Sequence, residues 1–397
     1  MLPKHPVASV FSLIREVNES MTLTSADLQR YSRHLALREI GVAGQEKLKA
    51  ARVLVIGAGG LGSPAALYLA ASGVGTLGVI DNDRVDISNL QRQVLYDVDS
   101  VGHSKAEMAR ERLQALNPEI RLIAHDVELR AANVCEIVAG YDIVLDGTDR
   151  FSTRYLSNDA CVLLRKPLVS AAIHRFEGQA MTYVPGRGPC YRCLFPEPPE
   201  DGLVPNCAEA GVLGVLPGVL GTIQATEAIK LIVGVGEPLL GRLLTYDALA
   251  MQFGELRFQR RRDCAVCGDH PTITEPKDTA QICSAEALAA VKRLEPVELV
   301  SLRQSAAALV IDVREPGEYA VAHFEDAVNI PVGELQRRIG ELPSSGMLVF
   351  VCRSGGRSLT AASIAVRAGL GNLAHLEGGL LAWARDVDPS FEVAQVG

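Results

Sequence analysis

Hydrophobic and polar residues form long blocks along the chain, and the clearest block runs from Arg52 to Asp81 without a charged residue between them. Apolar, β-branched runs at 53–56 and 77–80 flank a glycine-rich turn and an apolar helical pattern over 64–72. This order of strand, turn, helix and strand predicts a βαβ unit. A charge-free stretch of this length could also cross a bilayer. Because seven glycines and a proline interrupt it, we predict no membrane span.

Shorter apolar runs continue the alternation in the first half of the chain, at 121–124, 143–145 and 168–170. Alternating strands and helices are typical of a mostly parallel, doubly wound sheet. A helical pattern with Leu28 and Leu35 on one face begins at about Leu23. The sequence therefore predicts a Rossmann-like α/β domain.

A second α/β pattern begins after a proline- and charge-rich passage at 271–276. Its predicted strands lie at 308–312, 328–330, 348–352 and 373–376. About 100 residues are enough for a small independent domain. The predicted organisation is an N-terminal extension at 1–22, a first domain at 23–270, a linker at 271–294 and a smaller α/β domain at 295–397.

Composition narrows the class of protein. The 397 residues are 48% hydrophobic and 22% charged, which excludes a mainly disordered chain. The net charge of −8 argues against nucleic acid as the main ligand. Lys4, Arg15 and Glu16 interrupt the N-terminus, so we predict no secretory signal and a cytoplasmic protein. Nine cysteines, an odd number, indicate metal binding or catalysis in a reducing compartment.

A glycine-rich loop directly follows the first predicted strand. Gly57, Gly59, Gly60 and Gly62 satisfy the pattern GxGxxG before a helix, and Asp81 ends the next predicted strand. Glycines let backbone N–H groups approach a phosphate at a helix N-terminus, and the acid accepts from ribose hydroxyls. The loop predicts a nucleotide site, and it fits a nicotinamide dehydrogenase as well as an ATP-using enzyme.

Residues further along favour ATP. Arg92 and Lys105 could bring two cations to a triphosphate, where catalysis is mostly positioning and electrostatics. Asn89 can orient an oxygen, and Asp149, which follows a predicted strand, is a candidate Mg²⁺ ligand. Each residue alone is as well explained as a surface charge or a helix cap. Hydride transfer needs none of them, so their ordered grouping favours phosphoryl chemistry.

Two Cys-x-x-Cys pairs lie far apart in the sequence, at Cys190 and Cys193 and at Cys264 and Cys267. Four thiolates at this spacing can close a tetrahedral structural Zn²⁺ site. A redox Cys-x-x-Cys pair is the alternative, but neither pair lies in a thioredoxin-like βαβ context. The sequence predicts structural zinc.

A cysteine ends the predicted strand at 348–352, and the turn after it leads into a predicted helix. The residues of this turn are Cys352, Arg353, Ser354, Gly355, Gly356, Arg357 and Ser358. Backbone N–H groups and a helix N-terminus favour an anionic sulfur. A phosphatase loop would place arginine six residues after the cysteine, where this chain has serine. The spacing therefore favours sulfur chemistry over phosphate chemistry.

The first domain resembles the MoeB and ThiF type of adenylyltransferase, bacterial relatives of ubiquitin-activating enzymes. The resemblance covers about 23–270 and is carried by Arg33, GAGGLG, DNDRVDISNLQRQ, GHSK and LDGTD. It implies that ATP adenylates the C-terminal Gly-Gly carboxylate of a ubiquitin-like sulfur-carrier protein. It also implies a homodimer in which Arg33 reaches the partner's site.

The resemblance assigns nucleotide contacts by motif, with Mg²⁺ and the phosphates at Asp149. The remaining residues placed at the ATP site are Gly57, Gly59, Gly60, Gly62, Asp81, Asp83, Ser88, Asn89, Leu90, Gln91, Arg92, Lys105 and Arg150. The family usually has asparagine where this chain has Arg150, so the contact at that position is an open question.

The segment at about 296–388 resembles a single rhodanese domain and keeps its cysteine. The resemblance implies that Cys352 carries a persulfide. Cys207 lies in the loop-like stretch VPNCAEAG, and in fusions of this type a cysteine in the matching motif can bond to the carrier's C-terminus. A lone loop cysteine is equally well idle, and Cys135, Cys161 and Cys283 are expected to pack as small apolar residues.

The combined prediction is a two-step enzyme that adenylates a sulfur carrier and then transfers sulfur from Cys352. The expected sulfur donor is a cysteine desulfurase persulfide or thiosulfate. Two other classes stay open, a zinc-containing NAD-dependent dehydrogenase and a non-catalytic scaffold that binds a ubiquitin-like protein. The sequence does not select among molybdopterin synthesis, tRNA thiolation, thiamine synthesis and cysteine synthesis as the pathway.

Overall fold

The computed structural model describes residues 22–198, 211–278, 291–305 and 307–393. These residues form two compact units, one built from 22–198 and 211–278 and the other from residues between 291 and 393. Each unit has its own sheet and its own hydrophobic core.

The first unit contains eight described strands. They are β1 Arg52–Ile56, β2 Thr76–Ile80, β3 Arg121–His125, β4 Ile143–Asp146, β5 Leu168–His174, β6 Glu177–Tyr183, β7 Arg242–Asp247 and β8 Gln252–Arg257. Its described helices are α1 Ser25–Arg30, α2 Ser32–Leu35, α3 Gly41–Ala50, α4 Gly62–Ala71, α5 Lys105–Leu116, α6 Ala131–Ala139, α7 Phe151–Leu163, α8 Tyr191–Leu194 and α9 Leu216–Val233. Short 3-10 turns lie at Ile87–Asn89 and Val98–Ser100.

The strands of the first unit form one sheet in the order β3-β2-β1-β4-β5-β6-β7-β8. The first five strands pair in parallel, and β5 to β8 pair antiparallel. Four of the seven pairings are therefore parallel, which confirms the predicted α/β class. The sequence did not predict β6, β7 and β8; β8 is exposed along its whole length, so burial gives it no apolar pattern.

The charge-free block resolves into β1, α4 and β2, as predicted, because its glycines stand between these elements. Helix α9 packs against α4 and the sheet. By length and composition α9 could cross a membrane, yet 61% of it is buried inside this unit. The side chain of Gln224 in α9 donates to the backbone oxygens of Asp146 and Val169 at 2.7 and 3.2 Å, which fixes the helix on the ends of two strands.

The second unit contains five described strands. They are β9 Val291–Leu294, β10 Ala308–Asp312, β11 Ala327–Asn329, β12 Met347–Val351 and β13 Leu373–Leu376. The described helices are α10 Pro296–Gln304, α11 Pro316–Val321, α12 Val332–Arg338, α13 Gly356–Arg367 and α14 Gly379–Asp386, with a 3-10 turn at Ile339–Glu341.

All five strands of the second unit pair in parallel, in the order β11-β10-β12-β13-β9. Leu348 and Phe350 of β12 face one hydrophobic cluster, and Val349 and Val351 face another. The sheet is therefore buried on both faces, which is why its central strand is continuously apolar.

Two contacts bear on the predicted linker at 271–294. The backbone N–H of Ala131 donates to Asp278 at 2.7 Å, so the chain up to 278 contacts the first unit. Strand β9 lies within the same range and pairs with β13. These contacts favour a shorter connection than the one proposed from sequence.

Candidate functional site

The glycine loop lies where the strand order of the first sheet reverses, between β1 and β4. Open α/β sheets bind ligands outside the carboxyl ends of their strands at such a point. Gly57 follows β1, Asp81 follows β2, and Gly147 follows β4. The N–H of Gly57 donates to Ile80 and that of Gly147 to Ile56, at 2.8 and 2.9 Å.

Close backbone contacts explain two of the glycines. Gly57 has a φ of +86°, a region that favours glycine. A Cβ added to Gly62 would lie 1.8 Å from the carbonyl oxygen of Gly57, so only glycine fits there. The loop therefore closes tightly on the N-terminus of α4 and leaves its backbone available to a phosphate.

Asp81 holds this loop in place. Its carboxylate accepts from the backbone N–H of Ala58 at 2.8 Å and from that of Asp83 at 2.9 Å. Burial raises the pKa of Asp81, while the charge of Lys105 and the two N–H donors act in the opposite direction. Burial also raises the pKa of Tyr96, whose hydroxyl lies 2.9 Å from the backbone oxygen of Ala58 and 3.2 Å from that of Lys105. The loop and the start of α5 are thus tied together.

Two cations meet at the carboxylate of Asp83. The ammonium of Lys105, whose side chain is 7% exposed, lies 3.0 Å from Asp83, and the exposed Arg150 guanidinium lies 3.9 Å from the same group. The two positive charges therefore converge from α5 and from the loop after β4. Arg150, the departure from the family pattern, lies among the predicted site residues.

The SNLQR segment lies against the glycine loop. Arg92 donates to the backbone oxygen of Ser88 at 3.1 Å, and its Cγ would lie 3.6 Å from a Cβ at Gly60. Ser88 and Asn89 both bond to Asp86 and shape the 3-10 turn. Leu90 packs against the core, and Gln91 lies so close to Gly214 that a Cβ there would be 2.3 Å from its oxygen.

Arg33 and Asp149 make no hydrogen bond or ion pair with the other predicted site residues in the described part of the chain. Arg33 is exposed on α2, next to α3. Asp149 is exposed beyond the end of β4. The roles proposed for them, at the partner's site and on Mg²⁺, stay predictions.

A buried ion pair under the Asp149 loop was missed from sequence. Arg154 of α7 lies 3.3 Å from the Asp146 carboxylate and donates to the backbone oxygen of Thr148 at 2.6 Å. Asp146 also accepts from Ser170 at 3.1 Å. This arginine fixes the end of β4 and the loop that carries Asp149 and Arg150. The feature that could have indicated this pair is an arginine, Arg154, within the mostly buried helix α7.

The four predicted metal ligands come together. Neighbouring Sγ atoms are 3.9 Å apart for Cys190 and Cys193, 3.7 Å for Cys190 and Cys264, and 3.3 Å for Cys193 and Cys267, and all four lie within 4.8 Å of one another. A tetrahedral Zn²⁺ with bonds of about 2.3 Å requires sulfur separations of about 3.8 Å. The cluster therefore fits a tetrahedral ion.

Buried polar contacts attach the cluster to α7. Arg192 forms two hydrogen bonds with Asp159, at 2.7 and 2.8 Å, and both side chains are buried. The backbone N–H of Tyr191 donates to the side chain of Asn158 at 2.9 Å. Because α7 begins directly after the Asp149 loop, one helix connects the cysteine cluster with the nucleotide site.

Cys352 lies in a cradle of backbone donors in the second unit. Its side chain is buried, and its sulfur accepts from the N–H of Gly355 at 3.2 Å and from that of Ser358 at 3.3 Å. Gly355 has a φ of +99° and precedes α13. A Cβ at Gly379 would lie 2.4 Å from the carbonyl oxygen of Cys352, so the second glycine turn also fits closely. This cradle suits an anionic sulfur.

The arginines of the loop differ in their surroundings. Both outer nitrogens of Arg357 bond to the Glu318 carboxylate, at 2.6 and 2.8 Å, and the pair is buried. The charge of Arg357 is thus balanced by a carboxylate that the sequence did not single out. Arg353 is half-buried, and Ser354 and Gly356 are exposed.

The remaining cysteines divide into two groups. Cys161 is buried, and burial raises the pKa of its thiol, while Cys135 packs beside it in the same cluster. Cys207 and Cys283 lie outside the described residues.

The folds and their sites define a class of protein that joins a nucleotide-binding α/β unit to a smaller α/β unit with a cysteine loop. The ThiF family model matches residues 31–266, and the rhodanese-like domain model matches residues 295–386. The chain therefore belongs to the ThiF family and carries a rhodanese-like domain, which confirms the resemblance drawn from its motifs.

Two named relatives match nearly the whole chain. The chain is 46% identical over 387 residues to "Probable adenylyltransferase/sulfurtransferase MoeZ" of Mycobacterium tuberculosis, covering 94% of this chain and 97% of that protein. It is 42% identical to "Adenylyltransferase and sulfurtransferase MOCS3" of Aedes aegypti, covering 94% and 90%. The crystal structure of E. coli MccB with ATP matches with a TM-score of 0.53 and 27% identity, over 62% of this chain and 75% of that one.

Proposed function

We propose that this chain is an adenylyltransferase and sulfurtransferase that activates the C-terminal glycine of a ubiquitin-like sulfur-carrier protein and then gives it sulfur. The observation that carries this conclusion is that one chain holds both a cation-lined glycine loop and the Cys352 cradle, in the layout of relatives named for both activities. A dehydrogenase would leave the second unit unexplained.

In the first step, a carrier carboxylate oxygen attacks the α-phosphorus of ATP, and pyrophosphate leaves. In this proposal the glycine-loop N–H groups and the cations Lys105, Arg92 and Arg150 offset the charge that develops on the phosphates. Asp149 would hold Mg²⁺ through its carboxylate oxygens. The product is a carrier acyl-adenylate.

In the second step, the terminal sulfur of a Cys352 persulfide attacks the acyl carbon, and AMP leaves. The carrier is then joined to Cys352 through an acyl disulfide. A second thiol, for which Cys207 is the candidate, attacks the Cys352 sulfur and releases the thiocarboxylate. The resulting protein disulfide requires a dithiol reductant before the next turnover, because two electrons must return to the cysteines.

We also propose structural Zn²⁺ at the four clustered cysteines, a cytoplasmic location and a homodimer. The sulfur geometry supports the first, since it closes four positions and leaves none for a substrate. None of the seven described cysteines forms a disulfide, which suits a reducing compartment.

ATP–pyrophosphate exchange tests the first step. Exchange should require a carrier that ends in Gly-Gly, and Lys105→Ala should reduce it about 100-fold because a phosphate cation is lost. Lys277→Ala, at an exposed lysine of the same unit, is the matched control. Carrier binding without exchange would mean a scaffold, and bound NAD(H) in the purified protein would mean a dehydrogenase.

Sulfur transfer from thiosulfate tests the second step. Cys352→Ala should keep pyrophosphate exchange and lose thiocarboxylate formation, measured as a gain of sulfur mass on the carrier. Cys135→Ala serves as the control thiol. Thiocarboxylate formation by the Cys352 variant would show that the cradle is not the sulfur donor.

A further inference from the structure

A line of polar groups lies behind Cys352, and the proposed sulfur-transfer step does not use it. Ser358 lies in the first turn of α13, His375 lies in β13, and Glu377 follows that strand. Ser358 is fully buried and His375 is 2% exposed. A histidine at such depth needs partners, because an unpaired buried polar group is costly.

The groups are spaced for hydrogen bonding in series. The Cys352 sulfur lies 3.6 Å from the Ser358 oxygen, and that oxygen lies 3.5 Å from Nδ1 of His375. On the other side of the ring, Nε2 lies 3.5 Å from Oε2 of Glu377. Neither of these last two atoms has a hydrogen-bond partner among the described residues, so each is available to the other.

Burial favours the neutral form of the His375 imidazole, which leaves one ring nitrogen able to accept a proton. Burial lowers the pKa of His375, Glu377 acts against this, and Arg293 of β9 acts with it. Arg293 itself lies 3.9 Å from Glu377. Cys352 and Ser358 face the ring from the cradle and α13.

We propose that His375 accepts the thiol proton of Cys352 through the Ser358 hydroxyl, which prepares the sulfur anion for persulfide formation. This inference rests on the proposed sulfurtransferase function.

The proton transfer balances without a co-reactant. The S–H bond of Cys352 breaks as its proton bonds to the Ser358 oxygen, while the original hydroxyl proton of Ser358 moves to Nδ1. The hydroxyl, which donates to Gly355 at 2.8 Å in this structure, turns toward the ring in that step. The resulting thiolate keeps the N–H groups of Gly355 and Ser358, and the imidazolium gains the Glu377 carboxylate.

Cys352 is only 1% exposed, so the relay gives its thiol proton an acceptor within the fold. Nδ1 of His375 is two hydrogen bonds from the sulfur. Proton transfer to it therefore separates the positive and negative charges by a shorter distance than release of the proton to solvent would. Ser358 touches the reacting sulfur, and His375 acts through it.

Site-resolved alkylation tests the relay in the full-length chain. The rate of Cys352 modification by iodoacetamide is measured against pH, with the modified peptide identified by mass spectrometry. His375→Gln and Ser358→Ala should each move the midpoint upward by about one pH unit and slow modification about tenfold near pH 7. His323→Gln, at an exposed histidine of the same unit, should leave the profile unchanged. A folded His375→Gln protein with the unaltered profile would overturn the relay.

A second measurement keeps the test valid where a variant folds poorly. The imidazole titration of His375, followed by NMR, should shift when Cys352 is replaced by alanine, because the two groups exchange one proton. An unchanged titration would contradict the relay. A chain that shows the His375-dependent alkylation profile but transfers no sulfur would contradict the proposed function and leave the relay standing.

Discussion

Glu318 and Arg357 form a buried, bidentate ion pair beside the Cys352 cradle, 39 positions apart in sequence. Removing one partner of a buried pair leaves the other charge uncompensated. Glu318→Gln should therefore lower the free energy of unfolding of the second unit by about 3 kcal/mol. Glu334→Gln, in an exposed pair with Arg338, should cost no more than about 0.5 kcal/mol in the same urea titration. An equal loss of unfolding free energy in the two variants would show that the buried pair stabilises the unit no more than the exposed pair does.

The Glu318 carboxylate also makes the free energy of unfolding of the second unit depend on pH. Burial alone would raise the pKa of Glu318, but the Arg357 guanidinium outweighs burial and holds the pKa below its ordinary value of 4.5. The folded state therefore binds this proton less readily than the unfolded chain, and the stabilisation is complete above about pH 4.5. It should be lost as the pH falls through the lowered value. Urea midpoints measured from pH 6 to pH 3 should fall less steeply for Glu318→Gln than for the unaltered chain.

The roles of some site residues could be predicted from the sequence, and the roles of others could not. The turn after Cys352 was predictable because its glycines and helix start are local features. Glu318 and His375 were not, since their partners become neighbours only when separate strands and helices assemble. The same reason hid Arg154 under the Asp149 loop.

At the scale of elements, the glycine loop packs tightly against the N-terminus of α4. A Cβ at Gly62 would lie 1.8 Å from the Gly57 oxygen, whereas one at Gly218, near the start of α9, would meet nothing within 4 Å. Gly62→Ala should therefore abolish ATP binding, because the loop must move. Gly218→Ala should bind ATP normally and gain up to about 1 kcal/mol of stability. Calorimetric titration with ATP checks both, and normal binding by the Gly62 variant would contradict the close fit.

Strands buried on both faces were predicted to within about two residues, because their apolar runs are continuous. Strand β8, exposed throughout, and β9, with the exposed pair Lys292 and Arg293 at its centre, were missed. Backbone hydrogen bonds to neighbouring strands hold such strands in the sheet. The hydrophobic pattern of the sequence does not indicate these hydrogen bonds.

At the scale of the molecule, the cysteine cluster joins distant parts of the first unit, since 71 positions separate Cys193 from Cys264. Closing a segment of that length stabilises a fold by about 4 kcal/mol, so zinc removal should lower the Tm of the first unit by about 10 °C. Scanning calorimetry with and without a chelator should show this loss and leave the transition of the second unit unchanged.

The matched variants for this experiment are Cys264→Ser, which should lose zinc by elemental analysis, and Cys135→Ser, which should keep it. A chain that purifies without zinc and melts identically with chelator would refute the structural metal.

Strand β9 decides where the second unit can be separated from the first. It supplies the edge beside β13, and the family match begins only at residue 295, after this strand ends. A fragment cut at that match would expose the hydrogen-bonding edge of β13 and become prone to self-association. A fragment that folds as the complete second unit, for example in a fusion to another activating enzyme, therefore starts no later than Val291.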